Sequence, residues 1–217
     1  MKLILCSEGF STKEIIDKCA ELVGKPKDSI SVAVINEAYA VENNNLHWVL
    51  NNLNKVKDNF GGNLELVNLL ALNIQDIRER IEESDVIFVL GGHTDYLMSV
   101  FNKSGLSKIL PELLKTKVYV GSSAGSMVLG KRLSEEAYIK IYNERNTYGV
   151  DKYSELVDIA IMPHLDSPNF PNRKETLIDA VEQHSGVVYG LRDDSAIVVD
   201  ENNIVTIGSE PIILNGK

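Results

Sequence analysis

The residues with the clearest chemical potential run from Gly121 to Gly125 and match the pattern G-x-S-x-G, with Ser123 at its centre. They follow a short apolar run, and a helical pattern begins directly after them. In this pattern the serine occupies a sharp strand-to-helix turn, a nucleophile elbow, which exposes its hydroxyl for attack on a carbonyl carbon. The same small residues also suit an ordinary turn. The chemical interpretation therefore requires the partners of a serine nucleophile elsewhere in the chain.

The first partner is a base, usually histidine, because a serine hydroxyl is a weak nucleophile at neutral pH. The chain has four histidines. His47 and His184 lie in helical patterns, where a structural role is favoured. His164 ends an apolar run downstream of Ser123 and is the preferred base. His93 follows two glycines at another strand end and is predicted to contact the substrate.

The second partner is an acid that holds the imidazole in the correct tautomer and stabilises the imidazolium. The residues alone leave several carboxylates open for this role. One of them closes a strand-like run, two follow the predicted nucleophile helix, and one lies two residues from the histidine. The candidates in that order are Glu144, Glu135 with Glu136, and Asp166.

The third requirement is a set of donors for the oxyanion of a tetrahedral intermediate. The backbone N–H of Ala124 directly follows the serine at a helix N-terminus and can serve as one donor. The turn that contains Gly91 and Gly92 can supply another, since glycine allows the backbone to approach a carbonyl oxygen closely. Double glycines at strand ends are also common in simple turns.

Short β-rich runs alternate with helical patterns over the first 130 residues. This alternation, with strands that are apolar throughout, predicts a mainly parallel sheet covered on both faces. The strand patterns cover 2–8, 31–36, 61–69, 85–92 and 117–123, and the helical patterns cover 11–24, 45–56, 73–84, 96–105, 106–116 and 124–133.

Beyond residue 130 the pattern is richer in strands. Close spacing of the last strand patterns predicts a C-terminal antiparallel hairpin. The strand patterns cover 137–144, 156–164, 186–191, 195–200 and 203–214, with one helical pattern over 172–185. No linker or repeat interrupts the chain, so a single α/β domain over 1–217 is predicted. Ligands bind at the C-terminal ends of parallel strands, where the sequences LGGHTD, GSSAG and MPHLDS would converge.

Composition excludes several classes of function. The 217 residues carry a net charge of -9 with a pI near 5.0, which disfavours nucleic-acid and anionic-membrane binding. No window approaches about 20 apolar residues, no secretory signal is visible, and two cysteines are too few for a disulfide framework. A cytoplasmic location is expected. No metal-ligand spacing and no nucleotide-binding glycine motif appear, so no cofactor is expected.

The motifs VGSSAGSM, VLGGHTDYL and IMPHLDS, in this order and spacing, resemble the serine peptidase family of dipeptidase E and cyanophycinase. The resemblance spans nearly the whole chain. It implies a class I glutamine amidotransferase-like fold, a flavodoxin-like three-layer α/β/α sandwich. It also implies peptide-bond hydrolysis through an acyl-enzyme, with Ser123 as nucleophile, His164 as general base, and Gly92 and Ala124 as oxyanion donors. The acid it implies lies between nucleophile and histidine, where Glu144 fits best and Glu136 second.

One departure from the family pattern concerns substrate choice. In dipeptidase E an arginine after the histidine, in a G-E-T-R stretch, recognises an N-terminal aspartate. Here Leu177 occupies that place within RKETL, and a carboxylate clamp needs a positioned guanidinium. The sequence therefore predicts a small-peptide serine hydrolase of unassigned specificity, with aspartyl specificity disfavoured.

Two alternatives remain at this stage. An esterase of the α/β-hydrolase type shares G-x-S-x-G and the order serine, acid, histidine, but the chain is short and lacks a final helix. A non-catalytic protein could use the strand-end glycines to hold a small ligand, since a fold alone does not specify chemistry. The peptidase is favoured because both nucleophile and base are present. Oligomeric state is open, and a homo-oligomer is compatible with the sequence.

Overall fold

The computed structural model describes residues 1–43, 46–170, 173, 176–177, 186–201 and 203–215. Its strands are β1 (Lys2–Cys6), β2 (Val32–Ile35), β3 (Leu64–Leu66), β4 (Val86–Val89), β5 (Val118–Ser122), β6 (Ile159–Met162), β7 (Val187–Gly190), β8 (Ala196–Asp200), β9 (Asn203–Ile207) and β10 (Ile212–Asn215). Its α-helices are α1 (Lys13–Val23), α2 (His47–Asn59), α3 (Ile74–Glu82), α4 (Thr94–Ser104), α5 (Leu106–Leu113), α6 (Ala124–Met127) and α7 (Glu135–Tyr142).

Seven strands form the main sheet in the order β3-β2-β4-β5-β1-β8-β9. The first five are parallel, and β8 and β9 continue the sheet in antiparallel pairs. In register, Cys6 at the end of β1 pairs with Ser122 at the end of β5. This pairing brings the residues that follow both strands to the same edge of the sheet.

Apolar side chains alternate between the two faces of the central strands. In β1, Leu3 and Leu5 join one core cluster while Ile4 and Cys6 join the other. Helices α1 and α2 cover the second cluster, and α3 to α7 contribute to the first. Strands buried on both faces are typical of a parallel sheet between two helical layers. The predicted α/β/α sandwich with a mainly parallel sheet is confirmed.

A second sheet of three strands has the order β10-β7-β6. Strands β6 and β7 are parallel, and β10 pairs with β7 in the antiparallel sense. Strands β8 and β9 form the predicted hairpin. The run 203–214 was predicted as one strand pattern, but the structure divides it at Gly208, which has a φ of 78°. Its two halves, β9 and β10, belong to different sheets.

The strand predicted over 137–144 is wrong, because most of this run lies in helix α7. The side chain of Ser134 caps the helix by accepting a hydrogen bond from the amide of Ala137. The buried residues Ala137, Tyr138 and Ile141 follow helical spacing. Aromatic and β-branched residues favour strands in isolation, but the serine cap and this apolar face outweigh that preference.

One predicted helix is longer than the helix in the structure, and a second lies mostly outside the described residues. The helix expected over 124–133 ends at Met127 as the single short helix α6. The helix expected over 172–185 falls mostly outside the described residues, of which 173, 176 and 177 are helical. Among the helices that the structure describes, none is long and apolar enough to cross a membrane.

Candidate active site

Ser123 lies between β5 and α6 with a φ of 51° and a ψ of -114°. A non-glycine residue in this region costs about 1–3 kcal/mol, which the surrounding structure must offset. The amide of Ser123 donates hydrogen bonds to the carbonyls of Cys6, at 3.1 Å, and Ser7, at 3.0 Å. The side chain is partly exposed although its neighbours on both sides are buried. The structure thus presents the serine hydroxyl on a strained, tightly held turn.

Close approach of the backbone explains the second glycine of the G-x-S-x-G pattern. A Cβ placed on Gly125 would lie 2.2 Å from the carbonyl oxygen of Val89. The carbonyl of Gly125 also accepts a hydrogen bond of 2.6 Å from the buried Tyr119 hydroxyl. Helix α6 therefore packs directly on the end of β4, which fixes the elbow against the sheet.

The glycine turn after β4 lies beside the elbow. A Cβ on Gly91 would lie 3.0 Å from the Cβ of Ser123. Gly92 has a φ of 128°, and a Cβ there would lie 2.3 Å from the carbonyl oxygen of Ala38, so only glycine fits. Within the described part of the chain, the amides of Gly92 and Ala124 donate no hydrogen bond to a protein acceptor. Both remain available to a substrate oxygen.

His164 follows β6 and has a φ of 63°. Its backbone amide donates a hydrogen bond of 2.7 Å to the Oγ of Ser7. Its ring stacks on Phe170, with ring centroids 5.1 Å apart and planes inclined by 23°. The ring nitrogen Nδ1 lies 2.6 Å from Oδ1 of Asp193. Neighbouring residues therefore hold the backbone, the ring face and Nδ1 of His164 in place.

Burial opposes ionisation of Asp193, but the hydrogen bond and positive charge of His164 outweigh it. The Ser7 hydroxyl and the charge of Arg173 act in the same direction, so the pKa of Asp193 lies below its ordinary value. An ionised carboxylate accepts only, so Nδ1 of His164 must donate to it. This tautomer leaves Nε2 of His164 as the ring atom that can accept a proton.

The acid beside His164 is therefore Asp193, which the sequence analysis did not name, and the expectation that Glu144 orients His164 is not met. Glu144 instead accepts a hydrogen bond of 3.0 Å from the amide of Thr94 and lies 3.5 Å from Nδ1 of His93. The other three candidates pair elsewhere: Glu135 with Arg132, Glu136 with Lys140 and Asp166 with Arg192.

Burial raises the pKa of Glu144 to about 8, and the charges of Glu42 and Asp95 add to the effect while the Thr94 amide opposes it. Burial likewise lowers the pKa of His93. The imidazole of His93 caps helix α4 by accepting a hydrogen bond from the amide of Tyr96. His93 thus caps α4 beside the glycine turn, and its contact with a substrate stays a prediction.

A cavity of about 590 Å³ opens beside the elbow and is lined by Ser123, His164 and Asp193 together with the glycine turn. Its volume falls in the usual range of small-molecule sites. Trp48, Met127 and Phe170 supply apolar walls. Among the described residues, no hydrogen bond joins Ser123 to His164. Hydrogen bonds between catalytic residues are often long in a free enzyme and shorten when substrate binds.

Sequence reasoning missed two residues of this site, Asp193 and Ser7. A usable signal exists for both. Asp193 lies in LRDDSA, between two strand patterns, and Ser7 directly follows the first strand. Each stands at a strand end or a connection between strands, where functional groups of such folds gather. Neither position belongs to a recognisable short motif.

The α/β/α sandwich carries a serine on a strained turn and a histidine–carboxylate pair on the same cavity, an arrangement typical of serine hydrolases. The model of peptidase family S51 matches residues 3–207, so the chain belongs to peptidase family S51. This membership supports a serine peptidase.

Similar proteins agree with this family. The chain is 25% identical over 158 residues to "Uncharacterized peptidase Lmo0363" of Listeria monocytogenes, covering 70% of this chain and 74% of that protein. It is 28% identical to "Peptidase E" of Streptomyces coelicolor over 59% of this chain and 54% of that protein.

Solved structures share the fold. A candidate peptidase E from Listeria monocytogenes EGD-e matches with a TM-score of 0.76 and 22% identity, covering 96% of this chain and 98% of its own. A peptidase from an acI-B1 Actinobacterium matches with a TM-score of 0.66 and 16% identity, covering 99% and 94%.

Proposed function

We propose that the protein hydrolyses peptide bonds in small peptides through an acyl-enzyme on Ser123. His164 Nε2 removes the hydroxyl proton as Ser123 Oγ attacks the scissile carbonyl carbon. His164 then returns the proton to the leaving amine as the C–N bond breaks. A water molecule, deprotonated by the same nitrogen, cleaves the resulting ester and releases the acid product. Asp193 stabilises the imidazolium in both steps.

The oxyanion of each tetrahedral intermediate would be held by the amides of Gly92 and Ala124. Ala124 directly follows Ser123, Gly92 lines the same cavity as Ser123, and neither amide donates to another described residue. The N-terminal position of Ala124 in α6 leaves its amide without an intrahelical acceptor. Removing one such donor in other hydrolases costs on the order of 10²–10³ in turnover.

The observation that carries the proposal is the 2.6 Å contact of His164 with Asp193 on the cavity that also contains Ser123. A turn without chemical function would not require a partly buried carboxylate on the histidine. The non-catalytic alternative leaves this pair unexplained.

Cavity size supports a small substrate, because about 590 Å³ accommodates a few residues rather than a folded protein. Aspartyl specificity is not part of the proposal. Leu177 is buried, and its Cδ2 would lie 3.0 Å from a Cβ on Gly190. Arg173 is also buried, and its guanidinium carbon lies 3.6 Å from the centroid of the Phe170 ring.

A fluorophosphonate probe tests the proposal, since it phosphonylates activated serines. The adduct should map to Ser123 by mass spectrometry, disappear in Ser123→Ala, and form much more slowly in His164→Ala. Ser122→Ala is the matched control. It removes the neighbouring hydroxyl but keeps Ser123, so the protein should still be labelled. A folded wild-type protein that is not labelled would contradict the proposal. A labelled protein would then be screened against a dipeptide library, where turnover identifies the substrate class and ester-only cleavage would favour an esterase.

A further inference from the structure

Ser7, the first residue after β1, contacts each of the three residues assigned to catalysis. Its carbonyl accepts a hydrogen bond of 3.0 Å from the amide of Ser123. Its hydroxyl oxygen accepts one of 2.7 Å from the amide of His164. The same hydroxyl donates one of 2.9 Å to Oδ1 of Asp193. Ser7 is fully buried, so these bonds do not compete with bulk solvent.

These contacts join residues that belong to two different sheets. Ser7 and Ser123 follow neighbouring strands of the seven-stranded sheet, whereas His164 follows β6 of the three-stranded sheet. Asp193 lies in the connection between β7 and β8, which joins the two sheets. The Ser7 side chain therefore links the sheet that carries the nucleophile to the sheet that carries the base.

The hydroxyl of Ser7 is used twice, once as acceptor and once as donor, and a hydroxyl is the smallest side-chain group that can do both. Accepting from the amide helps hold His164 at its φ of 63°, a conformation that needs support from its surroundings. Donating to Asp193 fixes the oxygen that His164 Nδ1 contacts. One hydroxyl thus positions both members of the histidine–carboxylate pair.

We infer that Ser7 is a positioning residue for peptide hydrolysis, whose hydroxyl aligns His164 and Asp193 toward Ser123. The inference rests on the proposed function. Ser7 acts through these residues and does not line the cavity among the described residues. Substitution of its side chain leaves its carbonyl in place, so the bond to the Ser123 amide is retained and the effect of the hydroxyl is isolated.

The test compares Ser7→Ala with wild type by two measurements on the full chain. The first is the second-order rate of fluorophosphonate labelling at Ser123, which we expect to fall at least tenfold. The second is the proton NMR signal of His164 Nδ1–H, identified by its loss in His164→Ala, which we expect to shift or broaden in Ser7→Ala. A merely structural serine would not change that signal.

Ser99→Ala is the matched control, because Ser99 is also buried and its hydroxyl donates at 2.8 Å to a backbone carbonyl, that of Tyr96. It lies on α4 outside the proposed machinery and should leave both readouts unchanged. Ser7→Thr keeps the hydroxyl and should restore labelling to within about fivefold of wild type. Should Ser7→Ala fail to fold, Ser7→Cys takes its place, since a thiol is a weaker donor and acceptor.

A loss of labelling below tenfold would overturn the inference, and so would a larger loss with an unchanged Nδ1–H signal. The proposed function fails separately, namely when wild type itself is not labelled. In that case the NMR measurement still reports whether Ser7 controls the contact between His164 and Asp193.

Discussion

Nδ1 of His164 lies 2.6 Å from Oδ1 of Asp193, although 29 residues separate them in the chain. The strand ends that carry them meet because β6 and β7 are parallel neighbours, so that the residues following both strands lie at the same edge. The Asp193 carboxylate is ionised and partly buried, which makes it a suitable partner for an imidazolium.

This contact predicts that Asp193→Asn is far more damaging than any change at Glu144. An asparagine amide can impose the wrong imidazole tautomer, which in a comparable triad lowers turnover by about 10⁴. The measurement is the initial rate on the dipeptide that the library screen identifies. Glu144→Gln serves as comparison and should retain at least a tenth of wild-type activity. Equal losses in the two variants would show that the acid has been assigned to the wrong residue.

Glu144 predicts a pH dependence of stability. Its pKa is raised from an ordinary 4.5 to about 8 in the folded state, so between these values the folded protein binds more protons than the unfolded one. The stability that Glu144 contributes is fully present below about pH 4.5. It is lost as pH rises through the folded pKa of about 8, by up to about 1.4 kcal/mol per pH unit.

Glu144→Gln removes this titration while keeping an oxygen that can accept from the Thr94 amide. The variant should therefore gain stability relative to wild type as pH rises from 5 to 9. Urea unfolding at several pH values measures the difference. A constant difference between the two proteins across this range would refute the prediction.

Gly125→Ala should destabilise the elbow, because the added methyl carbon would lie 2.2 Å from the Val89 carbonyl oxygen. Overpacking of this kind typically lowers the free energy of unfolding by about 1–3 kcal/mol. Labelling of Ser123 should also fall as the turn shifts. Gly149→Ala is the control, since Gly149 has nothing within 4 Å and a φ of 67°, so it introduces backbone strain alone. A Gly125→Ala protein with normal labelling and stability would contradict the packing argument.

Asp95→Asn should cost about 3–5 kcal/mol of unfolding free energy, the usual effect of breaking a buried ion pair. Asp95 is fully buried, accepts two hydrogen bonds from Arg132, at 3.0 and 2.8 Å, and accepts a third of 2.8 Å from Tyr153. The exposed pair Arg78–Glu82 provides the comparison, and Glu82→Gln should cost below about 0.5 kcal/mol. Thermal or urea unfolding of both variants decides the matter.

The sheet was predictable because each central strand is a short apolar run, which fits only a strand buried on both faces. The strand predicted over 137–144 failed where local preference and tertiary packing disagree. Tyr138 and Ile141 favour strands, yet both bury themselves on one face of α7. Ser123 and His164 both line the cavity, because motif and strand end coincide at each, and their catalytic roles stay predictions.

By itself the sequence determined the alternation of strands and helices, the glycines around the turn at Ser123, and the edge of the sheet where the small-residue strand ends meet. These features depend on neighbouring residues and on periodicity, which the chain order contains. Only the tertiary structure decided which carboxylate meets His164, that Glu144 instead binds the start of α4, and that Ser7 connects the two sheets. Such choices depend on strand order and register between distant segments, and differences of a few ångströms between equivalent carboxylates leave no trace in spacing along the chain.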